Sequence, residues 1–368
     1  MPKAAVCTAT DSPLEIADVE LQSPKAGEVR VRLGASGVCH SDLSVRNGTL
    51  LQMLPAVLGH EGAGVVEEVG DGVDNLAPGD HVVISWIPQC GECPACQHGN
   101  SVLCDVGSVA MFSGGMLDGT SRFARDGQPL FQMAGTGTFS EETIVPAIGA
   151  VKIDKDVPLS SAALIGCGVL TGYGAAVNTA DIQPGDSVAV VGAGGVGLNV
   201  IQGAKFKGAE QIIAVDMNDG KLQTAQKFGA TDLVNASEGD AVAKVMELTG
   251  QRGAHVAFEV IGKKETIDQT ILMTGRGGEA VIVGVPDAET DIVINAAMGL
   301  IFGSKAIKGS LYGDSSVHTD VPELVKRYKD GKLMLDELVS HEIALEDVNK
   351  AMDDMHTGEV SRSVITYS

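Results

Sequence analysis

The sequence is poor in aromatic residues and in positive charge. It has one Trp, four Tyr and eight Phe among 368 residues, and 48 Asp and Glu outnumber 26 Lys and Arg, which gives a formal charge of −22. Such an excess of negative charge disfavours binding to nucleic acid and to anionic membranes. The sequence also lacks an apolar run long enough for a transmembrane helix.

The N-terminus lacks the long apolar core of a signal peptide, since Met1–Val6 reads as the start of a strand. We therefore expect a cytoplasmic protein, in which clustered cysteines are more often metal ligands than disulfides. The length of 368 residues and the 44% hydrophobic content predict two domains with ample core.

The stretch from Cys39 to Glu61 contains two side chains that suit zinc. Cys39 and His60 supply a thiolate and an imidazole, and Asp42 and Glu61 add carboxylates nearby. Ser41 places a hydroxyl two residues from the thiolate, where it can exchange a proton with a bound group. Two good ligands indicate an open, catalytic site whose remaining ligand comes from elsewhere. The alternative is a buried cysteine beside a histidine that is paired with a neighbouring acid.

A second cysteine cluster follows, with the pattern C-x2-C-x2-C-x7-C at Cys90, Cys93, Cys96 and Cys104. Four thiolates at this spacing predict a closed, structural zinc site. An iron–sulfur cluster uses the same ligands, but nothing else in the sequence indicates electron transfer. We expect His98 to lie on the surface, and the glycine-rich residues 105–133 to form an irregular loop.

The three remaining cysteines are expected to have different roles. Cys7 lies in an apolar strand and is expected in the core. Cys167 would complete a site of two thiolates and one imidazole with Cys39 and His60, but from the sequence alone it is equally a helix-packing residue.

A dinucleotide-binding motif begins in the second half of the chain. The buried-strand run 187–191 leads into Gly192-Ala193-Gly194-Gly195-Val196-Gly197 and then into a helical pattern. In this context the glycines allow a tight turn and close approach of a pyrophosphate at the helix N-terminus. The next strand ends at Asp216, where an acid binds the ribose hydroxyls of NAD. The alternatives are an α/β domain without a nucleotide, and a solvated Lys221 rather than one that reaches the ribose.

The order of predicted elements defines the fold class. Residues up to about 85 alternate as strands, and from near residue 170 strands and helices alternate up to residue 285. Two helical patterns, Val321–Lys329 and Leu345–Met355, precede a final strand at 362–367 that we expect to rejoin the first half. We therefore predict an α/β protein with a β-rich catalytic domain (1–168 and 310–368) and an inserted doubly wound domain (169–309).

Together these motifs resemble the zinc-dependent medium-chain alcohol dehydrogenases over nearly the whole chain. The resemblance implies a GroES-like catalytic domain and a Rossmann domain. It rests on Cys39-His40-Ser41-Asp42, Gly59-His60-Glu61, the four-cysteine cluster, Gly166-Cys167-Gly168, the loop 192–197 and Arg362. The segment Asp118–Phe123 is similar to a longer-loop branch that includes glutathione-dependent formaldehyde enzymes. The segments Ile87–Cys90, Leu103–Asp105 and Gly137–Ser140 resemble an actinobacterial subgroup that can hold NAD tightly and pass hydride to a nitroso acceptor.

The resemblance implies two zinc ions and one NAD per chain. The catalytic zinc would be held by Cys39, His60 and Cys167, with Glu61 transiently in the fourth position, while Asp42 orients His60 and Ser41 carries the alcohol proton. The residues implied to bind NAD are His40, Thr171, Gly192, Gly194, Gly195, Val196, Gly197, Asp216, Lys221, Val285 and Arg362. The alcohol channel would be lined by Trp86, Leu50, Val109 and Met133, for which the alternative is ordinary core.

The implied activity is reversible oxidation of primary aliphatic or aromatic alcohols to aldehydes by hydride transfer to NAD, in a homodimer or tetramer. The alternatives are a nicotinoprotein with tightly held NAD, a thiol-adduct formaldehyde dehydrogenase, and a non-catalytic protein that binds NAD and zinc. The glutathione branch has an arginine at the position of Ser108 and an acid at that of Leu51, which argues against a glutathione adduct. The family's proton relay often ends in a histidine at the position of Ser44.

Overall fold

The computed structural model describes residues 1–357 and 362–367, with His356 and Thr357 described by their backbone alone. The described chain separates into two compact units. One unit comprises Met1–Gly168 with Ser316–Ser368, and the other comprises Val169–Ser315. Each unit has its own sheets and its own buried core.

The strands, in chain order, are β1 Lys3–Cys7, β2 Glu15–Asp18, β3 Glu20–Leu21, β4 Glu28–Gly37, β5 Ala56–Val57, β6 Glu61–Val69, β7 His81–Ile84, β8 Phe123–Arg125, β9 Gln128–Gln132, β10 Glu142–Pro146, β11 Ala150–Ile153, β12 Ser187–Val191, β13 Gln211–Asp216, β14 Asp232–Asn235, β15 Ala254–Glu259, β16 Thr274–Ile282, β17 Ala306–Gly309, β18 His341–Ile343 and β19 Ser363–Thr366.

The α-helices are α1 His40–Arg46, α2 Pro94–Gln97, α3 Asp105–Ser113, α4 Leu159–Ala163, α5 Gly168–Gly174, α6 Gly195–Lys207, α7 Asp219–Phe228, α8 Ala241–Leu248, α9 Lys264–Met273, α10 Val317–Lys329 and α11 Val348–Thr357. Short 3-10 turns occupy Ser101–Leu103, Met133–Gly135, Ala147–Gly149, Leu164–Gly166, Tyr312–Asp314, Asp336–Leu338 and Leu345–Asp347, and π-helical turns occupy Ala175–Thr179 and Ala296–Ile301.

The first unit is built on two sheets. One has the order β2-β1-β5-β9-β8-β3, and the other has the order β11-β7-β6-β4-β19-β18 with β10 also paired to β4. The C-terminal strand β19 runs antiparallel to β4, with Val364 opposite Gly37. The prediction that the end of the chain rejoins the first half is therefore confirmed.

The second unit is a parallel sheet in the order β14-β13-β12-β15-β16-β17. Counted within the unit this order is 3-2-1-4-5-6, the doubly wound arrangement of dinucleotide-binding folds. Strand β12 is buried at every position, as its continuous apolar run predicts. The predicted fold class is confirmed.

The prediction of an irregular loop over residues 105–133 is wrong. This segment contains helix α3 and the hairpin β8–β9. Glycines at 107 and 114 lower the helix propensity of this segment, so the sequence does not predict α3. Cys104 Sγ accepts a hydrogen bond from the Gly107 amide and caps the first turn of the helix. The predicted start of α10 at Val321 is also late, since Gln89 Oε1 accepts from the Val317 amide and satisfies the true N-terminus.

No single helix among residues 1–357 and 362–367 is long and apolar enough to cross a bilayer, although the bent pair Leu159–Gly166 and Gly168–Thr179 passes that test jointly by length and composition.

Candidate active site

The first part of the site lies where β4 leads into the short helix α1. Cys39 is the N-cap residue of α1, and its amide donates to Asp42 Oδ2 over 2.9 Å. This reciprocal cap holds the Cys39 backbone in an extended conformation and keeps its side chain 92% buried. Ser41 Oγ lies 3.8 Å from Cys39 Sγ, so the hydroxyl is beside the thiol, as the two-residue spacing predicts.

His60 is held from the other side by the same carboxylate. Asp42 is fully buried, and its Oδ1 is 3.0 Å from His60 Nδ1 and accepts from the Gly59 amide over 3.2 Å. Because Nδ1 faces a carboxylate, it carries the proton and leaves Nε2 as the metal-binding atom. Gly59 has φ +89°, and a Cβ there would lie 2.4 Å from the Phe139 amide nitrogen. The turn before His60 therefore requires glycine.

Cys167 completes the group. One ligand atom from each of Cys39, His60, Glu61 and Cys167 lies within 4.8 Å of the others, and all four residues are buried. The structure therefore brings the four predicted ligands together, although Cys167 is 106 residues or more from each of the other three. Two thiols, an imidazole and a carboxylate are a donor set that fits zinc.

Glu61 forms an ion pair with Arg362, the residue before β19. Its Oε1 accepts from the Gly168 amide and lies 3.0 Å from Arg362 Nη2, while its Oε2 is buried and makes no hydrogen bond within the described chain. A Cβ at Gly168 would lie 1.8 Å from Arg362 Nη2, so glycine is needed to admit the guanidinium. Sequence reasoning missed this pairing, because no local pattern links residues about 300 positions apart.

The electrostatics of the group suit a divalent cation. The hydrogen bond from Cys167, with the charges of His60 and Arg362, lowers the pKa of the Cys39 thiol well below its usual value. Burial raises the pKa of Glu61 to about 7 against the opposing charge of Arg362. The hydrogen bond with Cys39 and burial raise the pKa of the Cys167 thiol well above its usual value. A bound cation would favour the charged forms of these buried acids, and among the described residues Oε2 of Glu61 has no hydrogen bond that would compete for it.

The predicted channel residues occupy different positions. Trp86 is half-buried and lies edge-to-face with His60, with ring centroids 6.4 Å apart. Leu50 and Met133 pack in the same core cluster, which fits their alternative as core residues. Val109 is on α3 and is exposed, with 42% of its surface accessible, so its channel role stays a prediction.

The four-cysteine cluster is also assembled. The sulfur of Cys104 lies 3.5 Å from that of Cys90 and 3.9 Å from that of Cys93, and all four sulfurs lie within 4.8 Å of one another. Zinc–sulfur bonds of about 2.3 Å at tetrahedral angles place sulfur atoms roughly 3.8 Å apart. His98 is exposed, as expected, and its Nδ1 contacts the Pro94 carbonyl. The cluster fits a structural zinc.

The glycine loop joins β12 to α6 in the second unit. Gly192 has φ +108°, and a Cβ at Gly197 would lie 1.9 Å from the Gly192 carbonyl oxygen. A Cβ at Gly194, the N-cap of α6, would instead meet nothing within 4 Å. Gly195 and Val196 begin α6, and the amides at the start of a helix beside such open space suit a pyrophosphate site.

Other predicted NAD-binding residues are placed as follows. Asp216 ends β13 half-exposed, and its two oxygens accept from the Ala193 and Asn218 amides. Lys221 and Thr171 are half-buried, and Val285 is exposed. In the first unit, His40 is exposed at the start of α1, whereas Arg362 is buried against Glu61. The cofactor role of each stays a prediction.

Comparison with known proteins identifies the family. The model of the alcohol dehydrogenase GroES-like domain matches residues 25–155, and that of the zinc-binding dehydrogenase domain matches residues 195–330. A class-3 alcohol dehydrogenase of Cereibacter sphaeroides is 42% identical over 99% of both chains. The chain belongs to the zinc-dependent medium-chain alcohol dehydrogenase family.

Two further relatives of this alcohol dehydrogenase differ in their named substrates. The S-(hydroxymethyl)glutathione dehydrogenase of Paracoccus denitrificans is 40% identical over 99% of both chains. The solved benzyl alcohol dehydrogenase of Acinetobacter calcoaceticus is 34% identical, with a TM-score of 0.94 over 100% of this chain and 99% of that one. The chain is therefore an oxidoreductase of the family, with the donor sets for two zinc ions and the loop for NAD.

Proposed function

We propose that this alcohol dehydrogenase oxidises primary aliphatic or aromatic alcohols to aldehydes with NAD. The observation that carries the proposal is the buried Cys39–His60–Cys167 group with Trp86 packed edge-on against His60. An aromatic wall beside a polar reaction centre favours an alcohol whose carbon chain is apolar.

Zinc, when bound, supplies a Lewis acid, and NAD supplies the hydride acceptor. Cys39, His60 and Cys167 would hold the metal, and Asp42 would keep the His60 ring in position through its 3.0 Å contact to Nδ1. Ser41 would take the alcohol proton, because its hydroxyl lies beside Cys39 at the edge of the metal group. Gly192, Gly194 and Gly197 would admit the NAD pyrophosphate, and Asp216 would select its ribose.

A second candidate is a thiol-adduct formaldehyde dehydrogenase. The name of the 40% identical Paracoccus relative favours this reaction more directly than it favours the first. Against it, Ser108 uses its hydroxyl to cap the Asp105 carbonyl over 2.8 Å, and Leu51 is 97% exposed and apolar. Neither position offers the arginine or the acid expected for recognising glutathione.

The test compares catalytic efficiencies on one preparation. We expect kcat/KM for benzyl alcohol and hexanol to exceed that for formaldehyde mixed with glutathione. A Leu51→Asp, Ser108→Arg double variant should raise efficiency with the glutathione adduct, and Leu51→Asn, Ser108→Gln is its uncharged control. Higher native efficiency with the adduct than with either alcohol would replace the first candidate by the second.

Two modes of NAD use are distinguished by experiment: NAD that exchanges between turnovers, and NAD that stays bound. Mass spectrometry of the denatured protein separates them. Dinucleotide released from extensively dialysed protein would support the nicotinoprotein alternative. Absence of released dinucleotide, with turnover restored by added NAD, would support ordinary exchange. Where dinucleotide is released, its mass also distinguishes NAD from NADP.

We further propose a cytoplasmic homodimer with catalytic domain 1–168 and 310–368 and cofactor domain 169–309. Exposed apolar side chains cluster in one segment of the second unit, at Ile292, Val293, Met298, Ile301 and Phe302. Such a run of exposed apolar side chains in one segment supports self-association. Sedimentation of Phe302→Glu should show a smaller species than the native protein. The native protein itself should sediment as a dimer, with a tetramer as the alternative.

A further inference from the structure

In the sequence, the four-cysteine cluster lies between two residues that are predicted to line the alcohol channel. Trp86, the only tryptophan of the chain, lies four residues before Cys90, and Val109 lies five residues after Cys104. The cluster therefore joins the segment that carries Trp86 to the helix that carries Val109. Holding a structural zinc does not by itself explain why the cluster links these two segments.

Cys104 holds both segments through one sulfur atom. Its Sγ accepts hydrogen bonds of 3.4 Å from the Cys90 amide and 3.4 Å from the Gly107 amide, and it lies 3.5 Å from Cys90 Sγ. The first bond fixes the end of the Trp86 segment, and the second caps the first turn of α3. A displacement at this sulfur is thus transmitted to both.

The two segments touch backbone to backbone. A Cβ at Gly107 would lie 2.0 Å from the Pro88 carbonyl oxygen, so α3 approaches the Trp86 segment as closely as glycine permits. The same segment is anchored on its other side, since Ser85 N donates to the Gly149 carbonyl and Gln89 Oε1 accepts from the Val317 amide. The segment cannot move away without breaking these bonds.

The Trp86 segment reaches the site, and α3 packs against the turn Met133–Gly135. The Trp86 ring meets His60 at an interplanar angle of 87°. On α3, buried Ala110 lies 2.9 Å from where a Cβ of Gly135 would be, and Gly135 belongs to the turn that carries Met133. Packed interiors transmit such displacements, because they leave few voids to absorb them.

We propose that the four-cysteine cluster positions Trp86 at the alcohol site, because it sets the separation between the Trp86 segment and helix α3. Below, this cluster and its connecting turns are called the lobe. Trp86 is then a residue whose effect on alcohol selectivity depends on its position, and Gly107 is the positioning residue that permits the close approach of α3 to the Trp86 segment. This inference rests on the proposed alcohol oxidation for its effect on selectivity. Its structural part, the dependence of Trp86 on the lobe, stands independently.

The test uses Gly107→Ala, which inserts a methyl group between the segments without removing a metal ligand. Gly309→Ala is the control, since a Cβ at that exposed position meets nothing within 4 Å. We measure zinc per chain, Trp86 emission, its quenching by acrylamide, and kcat/KM for benzyl alcohol and ethanol. We expect Gly107→Ala to keep two zinc ions, shift the emission, and change the benzyl alcohol to ethanol ratio by on the order of 10- to 10²-fold.

If Gly107→Ala does not fold, a second measurement still tests the inference. In Cys167→Ser, which lacks a ligand of the catalytic group, chelator is added stepwise to remove the remaining structural zinc. Trp86 emission should change with that zinc before the far-ultraviolet circular dichroism changes.

Two results would overturn the inference. One is Gly107→Ala with emission, quenching and substrate ratio equal to those of Gly309→Ala. The other is Trp86 emission that changes only when the whole chain unfolds. If the native protein oxidises no alcohol, the proposed function fails, whereas the emission and zinc measurements still decide whether the lobe positions Trp86.

Discussion

The replacement Asp42→Asn tests how the metal group is held. The buried carboxylate accepts from three donors: the Cys39 amide at 2.9 Å, the Gly59 amide at 3.2 Å and His60 Nδ1 at 3.0 Å. Asparagine has nearly the same shape but only one accepting oxygen. If that oxygen keeps the hydrogen bonds from His60 and Gly59, the NH2 group of the asparagine faces the Cys39 amide. Two hydrogen-bond donors then face each other with no acceptor between them.

The expected magnitude follows from this count of donors. Hydrogen bonds to a charged acceptor contribute about 1.5–3 kcal/mol each, and a buried donor without an acceptor costs about 1–3 kcal/mol. Part of this cost appears as lower stability and part as weaker metal binding. We expect zinc affinity to fall by about 10- to 100-fold, the usual effect of removing a partner of a metal-binding histidine.

The assay is competition for zinc between the protein and a chromophoric chelator, at one pH and ionic strength. Urea unfolding of the zinc-loaded proteins gives the change in free energy of unfolding. Asp268→Asn is the control, because Asp268 is partly exposed and paired with Lys264 on a helix surface. Zinc affinity within about twofold of the native value in Asp42→Asn would refute the view that Asp42 orients His60.

Three further predictions concern the metals, the proton and the cofactor. Cys167→Ser should lose close to one zinc and all activity but stay folded, whereas Cys96→Ser should lower thermal stability; two zinc ions in both variants would contradict the ligand assignment. Ser41→Ala should slow single-turnover hydride transfer by about 10²–10⁴-fold while Ser41→Thr is tolerated and Ser44→Ala has little effect; a near-native rate in Ser41→Ala would mean another proton route. The Asp216 carboxylate should favour NAD over NADP in kcat/KM, and Asp216→Asn should reduce that preference; equal efficiencies in the native enzyme would contradict the ribose role.

Local patterns in the sequence were sufficient for the features built from neighbouring residues. The C-x2-C-x2-C-x7-C spacing predicts the sulfur cluster, because four thiols within fifteen residues need only short turns to meet. The strand, glycine loop and helix around Gly192 follow from the same kind of local constraint, since backbone conformation and close approach there require glycine. The alternation of strands and helices predicts the doubly wound sheet for a similar reason.

Only the tertiary structure decided the contacts between distant segments. It placed the Cys167 sulfur beside Cys39 and His60, although the sequence equally allowed a helix-packing role. It also paired Glu61 with Arg362 and formed helix α3 where glycine content indicated a loop. In each case the stabilising partner is distant in the sequence or is a side chain, such as Cys104 Sγ, whose capping role appears only when its surroundings are assembled. The free energy that selects these conformations comes from burial and long-range hydrogen bonds, which no local pattern encodes.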